Sequence, residues 1–216
     1  MNEKIYFKRK IYNKLVEWKE SSNGTTALLI EGARRIGKST IAEQFAKNEY
    51  EEYILIDFNI APIEIKNLFI YERNDIDLIL QKLQSFYGKV LPTRKSLIIF
   101  DEVQFCPEAR SLIKYLVADG RYDYLETGSL ISIKKNVQNI IIPSEEKKIN
   151  MYPLDFEEFL WALGDVNTIP FLKQCFDNKN SVDIAHNPIM KKFRTYILVG
   201  GMPQAIVEYI KTKSFD

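Results

Sequence analysis

The sequence predicts an α/β domain built on a mainly parallel sheet with helices on both faces, and three observations carry that prediction. Short apolar runs such as Ala27-Leu28-Leu29-Ile30 and Leu97-Ile98-Ile99-Phe100 are too brief for helices and show no polar alternation, as expected of strands buried on both faces. Between them lie longer stretches whose apolar residues recur at helical spacing. From Asp155 onward the alternation ends and only helical patterns follow.

Element by element, residues 9–20 place Ile11, Leu15 and Trp18 on one stripe of an opening helix that stops at Ser21-Ser22-Asn23-Gly24. The run Ala27–Ile30 is the first strand, a glycine-bounded turn follows, and Ser39–Asn48 reads as a helix. Tyr53–Phe58 is a second strand. A helix after Asp75 shows Ile76, Ile79, Leu80, Leu83 and Phe86 on one face and is closed by Gly88 and Pro92. Leu97–Phe100 is a third strand. A single helix is expected from Pro107, with Ala109, Leu112, Ile113, Leu116 and Val117 as its stripe and Asp119-Gly120 as its stop. Tyr122–Leu125 gives a fourth strand and Ile149–Tyr152 a fifth. Asp155 and Glu158 have the spacing of a capping box, Asn187-Pro188 opens a helix to about Leu198, and Pro203 opens a last one.

The composition sets outer bounds. With 216 residues, 46% hydrophobic and 27% charged, the chain has the material for a full core and is not disordered. Lys+Arg 30 against Asp+Glu 29 leaves no global field to attract a phosphate polymer, which disfavours a nucleic-acid coat protein but leaves a local basic patch open. Cys106, Cys175 and His186 form neither a metal-ligand cluster nor a disulfide framework, so a reducing, cytoplasmic setting is expected. No apolar stretch reaches signal-peptide or membrane-span length, and a soluble protein is expected.

The chemistry is carried by Gly32-Ala33-Arg34-Arg35-Ile36-Gly37-Lys38-Ser39-Thr40, which fits the phosphate-loop pattern G-x-x-x-x-G-K-[ST] at every fixed position, between a strand and a helix. Such a loop turns successive backbone N–H groups toward phosphate oxygens and adds the positive end of the next helix. Gly32, Arg35, Ile36, Gly37, Lys38, Ser39 and Thr40 are therefore the expected nucleotide-binding residues. Lys38 would reach the β- and γ-phosphates, Ser39 a Mg²⁺ ion, and Thr40 the α-phosphate. The third strand ends in Asp101-Glu102, where Asp101 would hold the Mg²⁺ shell and Glu102 would accept a proton from a water aligned on the γ-phosphate. If the fourth strand lies between the first and third, Thr127 or Ser129 at its end would sit beside the γ-phosphate. The guanine motif N-K-x-D fails in Asn178-Lys179-Asn180-Ser181, which favours adenine, and G-x-G-x-x-G is missing.

The loop GARRIGKST, the strand LIIFDE with Gln104, the TGS at 127–129, the segment PLDFEEFL at 153–160 and the Gly200-Gly201-Met202-Pro203 turn occur in this order. Together they resemble the prokaryotic AAA+-type predicted ATPases, whose P-loop domain is followed by a C-terminal domain of unknown function. The resemblance implies a P-loop NTPase fold with five strands in the order 5-1-4-3-2, a helical lid and ATP hydrolysis. The expected division is an N-terminal helix over 1–20, an ATPase core over 21–152 and a lid over 153–216. Relatives of this kind continue past Phe215-Asp216, which implies a truncated form or a lost remainder. Many carry a Gly-Arg element where this chain has Ile141-Ile142-Pro143-Ser144-Glu145-Glu146, so no arginine finger is expected from that segment.

Arg34 and Arg35 could neutralise γ-phosphate charge, reach a neighbouring subunit or stand in solvent. Arg194 lies where lids of this class place a second sensor, and Lys191-Lys192-Arg194 reads as a wet helix face. The expected function is Mg²⁺-dependent ATP hydrolysis that drives or signals a conformational change, slow in isolation. An ATP-dependent switch with negligible turnover is the alternative. ATP or ADP is the expected ligand, with a protein partner or a second copy of the chain possible, nucleic acid open and no membrane.

Overall fold

The computed structural model describes residues 5–129 and 145–214. The positions compared with the Gly-Arg element, 141–144, lie outside the described residues. The chain divides into two compact units, Ile11–Met151 and a second composed of Met1–Lys10 with Tyr152–Asp216. The opening helix thus belongs with the sheet, and the segment before it belongs with the C-terminal helices.

In the larger unit the elements run α1 (Ile11–Ser22), β1 (Ala27–Gly32), α2 (Lys38–Glu49), β2 (Glu52–Asp57), α3 (Ile63–Tyr71), α4 (Ile76–Tyr87), β3 (Ser96–Asp101), α5 (Pro107–Ser111), α6 (Ile113–Asp119), β4 (Asp123–Ser129) and β5 (Glu146–Met151). All strand pairs are parallel, in the order β2-β3-β4-β1-β5, which is the expected 5-1-4-3-2 read from the other edge. One face of the sheet presents Leu29, Ile56, Ile98, Phe100 and Tyr124 to a core completed by Phe69, Leu80, Leu83, Ile113 and Leu116. Within it Phe58, Phe69 and Phe100 meet edge to face or tilted, with centroids 5.4 to 5.5 Å apart. Parallel pairing brings the C-terminal ends of β1, β3 and β4 to one edge. There Gly32 stands level with Ser129, and Asp57 with Asp101.

The helix expected from Pro107 is two helices. Its stripe is buried as the spacing predicts, but the chain breaks at Leu112, whose φ and ψ are −87° and −8°. The cause is local. The Ser111 hydroxyl donates to the Glu108 carbonyl at 2.7 Å, and the Leu112 amide turns instead to Ala109, three residues back, at 3.2 Å. Helix α3 was not signalled because only Ile65 and Phe69 are buried while Ile63, Ile70 and Tyr71 are exposed, which blurs the periodicity.

The second unit contains α7 (Phe156–Ala162), α8 (Thr168–Asp177), α9 (His186–Val199) and α10 (Pro203–Thr212). The capping box forms as the spacing predicts: Asp155 accepts from the Glu158 amide at 2.9 Å and Glu158 from the Asp155 amide at 3.2 Å. The buried Arg9 guanidinium adds an ion pair to Glu158 at 3.2 Å. Helix α8 carries Pro170 in its first turn and buries only Thr168 and Cys175, so its sequence shows no continuous apolar stripe. The Gly200-Gly201 turn has a packing reason, because a β-carbon on Gly201 would lie 2.2 Å from the Leu154 carbonyl oxygen. Gly201→Ala is therefore expected to destabilise the chain by about 1–3 kcal/mol through overpacking, seen as a lower urea midpoint at unchanged slope.

Candidate functional site

The phosphate loop starts where β1 runs out of room for side chains. A β-carbon on Gly32 would stand 2.4 Å from the Met151 carbonyl oxygen and 2.7 Å from Ile36 Cδ1, so only glycine fits. The loop then passes through two left-handed residues, Arg35 at φ 64° and Gly37 at φ 97°. Gly37 is the N-cap of α2 and provides no side-chain cap, so the helix start has no side-chain oxygen of its own cap residue covering it. The Ile36 side chain is fully buried and pins the loop from beneath. Lys38 and Thr40 fall in the first turn of α2.

Lys38 is 4% exposed, and its ammonium donates to the Gly32 and Ala33 carbonyls at 3.2 and 2.8 Å. Burial lowers its pKa below the usual lysine value; Glu102 and Asp101 oppose that shift and Arg34 adds to it. The Ser39 hydroxyl donates to Asp101 Oδ1 at 2.8 Å, and the Thr127 hydroxyl donates to the same oxygen. Thr127 also accepts the Glu102 amide at 3.2 Å, so one β4 side chain ties together the last residue of β3 and the residue after it. Asp101 is pushed above the ordinary carboxylate range, chiefly by burial; the two hydroxyls pull it down and the charges of Asp57 and Glu102 push it up.

Glu102 adopts a left-handed backbone, φ 52°, and opens a short 3₁₀ turn over Val103–Phe105. That turn folds the buried Gln104 back so that its amide donates to Glu102 Oε2. A cleft of about 280 Å³ is bounded by Arg34, Arg35, Ser39, Asp57, Asp101 and Glu102. The expected loop residues, Asp101, Glu102 and Thr127 are thus brought together at one sheet edge. Ser129 is buried at the end of β4, level with Gly32 of the loop; like Lys38 and Thr127 it lies beside this cleft and not in its lining.

Asp57 and Gln104 were not singled out as site residues. A signal for the first existed, since two strands of one parallel sheet both end in aspartate; the Gln104 contact depends on the left-handed turn at Glu102, which no residue type announces. Outside the cleft, Cys106 is buried with its thiol pushed up to about 11, which removes it as a nucleophile. Arg194 is exposed on α9, while its neighbour Lys192 pairs with Asp165 at 2.6 Å. Among the described residues no group of three or more His, Cys, Asp or Glu could hold a metal ion, and no helix is long and apolar enough to cross a membrane.

A glycine loop between β1 and α2, with an acidic β3 end and β4 inserted between β1 and β3, defines a P-loop ATPase domain of the AAA+ type. The comparisons agree. Residues 24–160 match the AAA domain family, and the chain belongs to it. A Haemophilus influenzae protein described as uncharacterized is 23% identical over 181 residues, covering 83% of this chain and 40% of its own length. The chain thus spans less than half of that relative. Among solved structures, a Walker-type ATPase of Pyrococcus abyssi superimposes with a TM-score of 0.53 at 19% identity, over 97% of this chain and 69% of that one. The structure of C. elegans PCH-2 gives 0.51 at 12% identity, over 97% and 64%. At these identities the likeness is one of fold.

Proposed function

We propose that the chain binds ATP at the loop Gly32–Thr40 and hydrolyses its γ-phosphate with Mg²⁺ to drive or signal a conformational change. The observation that carries this reading is the Ser39–Asp101–Thr127–Glu102 network meeting the uncapped start of α2 beside Lys38. The donor set fits Mg²⁺: one hydroxyl and one carboxylate oxygen 2.8 Å apart are hard oxygen ligands that leave positions for phosphate and water. Bound there, the ion would draw charge from the phosphates and so lower the barrier to their transfer. Ser39 and Asp101 hold that position, and Thr127 fixes the Asp101 rotamer. Lys38 leaves its two carbonyls for the β- and γ-phosphate oxygens, which bind it more strongly because they are charged. Glu102 takes the proton of the attacking water.

One contact favours the alternative, a nucleotide switch with little turnover of its own. The Gln104 amide already occupies one Glu102 oxygen, which holds the side chain in a fixed rotamer and leaves only the other oxygen free to take up a water. Basal hydrolysis is accordingly expected to be slow. Calorimetry with Mg-ATP tests the binding reading. Lys38→Ala should weaken affinity by about 10- to 100-fold, the value of hydrogen bonds to a charged partner. Absence of heat from the natural sequence, with a native circular dichroism spectrum, overturns it.

A further inference from the structure

Strand β2 ends in an acid whose charge the following turn does not need. Asp57 Oδ1 accepts the Asn59 amide at 2.9 Å and the Asp57 carbonyl accepts the Ala61 amide at 2.8 Å, so the residue starts the turn that leads to α3. Asparagine makes the same turn, and serine a weaker one. The charge has no local purpose, and its place in the sheet makes it costly. Asp57 is level with Asp101 on the neighbouring strand, and level residues of parallel strands project from the same face. Neighbouring strands are only about 4.8 Å apart, so one carboxylate stands beside another.

The donors to Asp101 come from α2 and β4. The Ser39 and Thr127 hydroxyls both use Asp101 Oδ1. On the β2 side its neighbour is Asp57, and a carboxylate has only acceptors to offer. Among the described residues neither aspartate is in an ion pair, although Arg34 and Arg35 line the same cleft. The phosphate loop provides a second, independent observation. It borders this cleft, and the ligand that such a loop takes is itself an anion. Two level acids and a phosphate chain share one cleft when a cation lies between them.

We propose that Asp57 is a positioning residue for the Mg²⁺ ion of this site, accepting hydrogen bonds from water that the ion keeps while Ser39 and Asp101 hold the ion itself. The inference rests on the ATP reading above and deepens it by assigning a third side chain to the metal. Mg²⁺ sheds water reluctantly and takes one or two carboxylates, so an acid beyond those reaches it through its water. Among the described residues no group of three or more His, Cys, Asp or Glu could hold an ion directly, which agrees with an indirect role. One Asp57 oxygen is engaged by Asn59, and the other has no donor among the described residues.

The test uses the full chain with its Asp57→Asn and Glu102→Gln variants, and calorimetry of ATP in saturating Mg²⁺ and in EDTA. The quantity read is the ratio of the two affinities, the preference for metal-bound nucleotide. Asp57→Asn keeps the cap of the turn and should cut that preference by about 10-fold or more, the scale of losing a group that orients a metal's ligands. Its affinity in EDTA should not fall, because a charge that repels phosphate is gone. Glu102→Gln removes the same charge from the same cleft and should leave the preference nearly unchanged. Where binding in EDTA is too weak to read, Mg²⁺ titrated at fixed ATP gives the comparison as a shift of about 10-fold in its midpoint.

An unchanged preference in Asp57→Asn overturns the inference, as does an equal gain in both conditions, the mark of an acid that only repels phosphate. A matching loss of preference in Glu102→Gln also overturns it, since the effect would then be one of charge at large. Should the asparagine variant fail to fold by circular dichroism, Asp57→Ser, which keeps a hydroxyl for the turn, decides in its place. A natural chain that binds ATP equally with and without Mg²⁺ sinks the metal role and leaves nucleotide binding intact. Binding in neither condition is a different result, and it strikes the ATP reading itself.

Discussion

Glu102→Gln lowers phosphate release by about 10²- to 10⁴-fold and leaves Mg-ATP affinity nearly unchanged, if the carboxylate after β3 is the base that aligns water. The substitution is close to a pure test. Glutamine keeps the length of the side chain and an oxygen that can still accept from Gln104, so the 3₁₀ turn and the left-handed backbone at position 102 have no reason to move. The Glu102 amide keeps its bond to Thr127, and through it the Asp101 rotamer. What disappears is the ability to accept a proton. Single-turnover measurement of phosphate release at saturating Mg-ATP, beside calorimetry on the same samples, separates the two effects. Turnover equal to that of the natural chain would remove Glu102 from the chemistry; idle protein in both cases would favour the switch.

The parts of this site that were legible in the sequence are those set by local chemistry. Gly32, Gly37, Lys38 and Ser39 were readable because a phosphate loop needs residues without side chains, a cation and a hydroxyl at fixed offsets along a few residues. Asp101 and Glu102 were readable because an apolar strand ending in two acids follows that loop with one strand-helix unit between; the same pattern alone would be an ordinary solvated strand end. The strand order followed from a resemblance and not from periodicity, since apolar runs do not say which neighbour they pair with. Contacts that depend on that order were accordingly hidden. Asp57 faces Asp101 only because β2 pairs with β3 in register, and the break at Leu112 arises from one serine hydroxyl competing for a carbonyl.

The least legible feature is a buried ionic group under α5, and it supplies the prediction with the largest effect on stability. Arg110 on α5 is 1% exposed in its side chain and grips the fully buried Glu146 carboxylate of β5 with two bonds of 3.0 and 2.9 Å. Next to this pair Glu126 of β4 is also fully buried, and among the described residues neither of its oxygens has a conventional donor. Burial first, then the charge of Glu146 and contact with it, push the Glu126 pKa well above the usual carboxylate range; Arg110 and Lys148 oppose the shift. A proton on Glu126 resolves the arrangement, because it lets one carboxyl donate to the other and leaves a single negative charge for Arg110. Arg110→Ala strands that charge in the core and is expected to lose about 3–5 kcal/mol in urea unfolding. Replacing Arg110, Glu126 and Glu146 together by Met, Leu and Leu should lose far less, since apolar groups of like volume need no partner. The sign of the pH dependence follows from the raised pKa. The unfolded glutamate titrates near 4.5, so the stability that protonated Glu126 contributes is complete below that pH and is lost as pH rises through its higher folded value. Glu126→Gln cannot ionise and should lack this decline, so its stability relative to the natural chain improves as pH is raised. Parallel curves for the two proteins between mildly acidic and alkaline pH would mean that Glu126 is already ionised in the fold, with a donor other than Glu146. Because Glu126 immediately precedes Thr127, the strand that organises Asp101 and Glu102 carries this buried, pH-sensitive group one residue earlier.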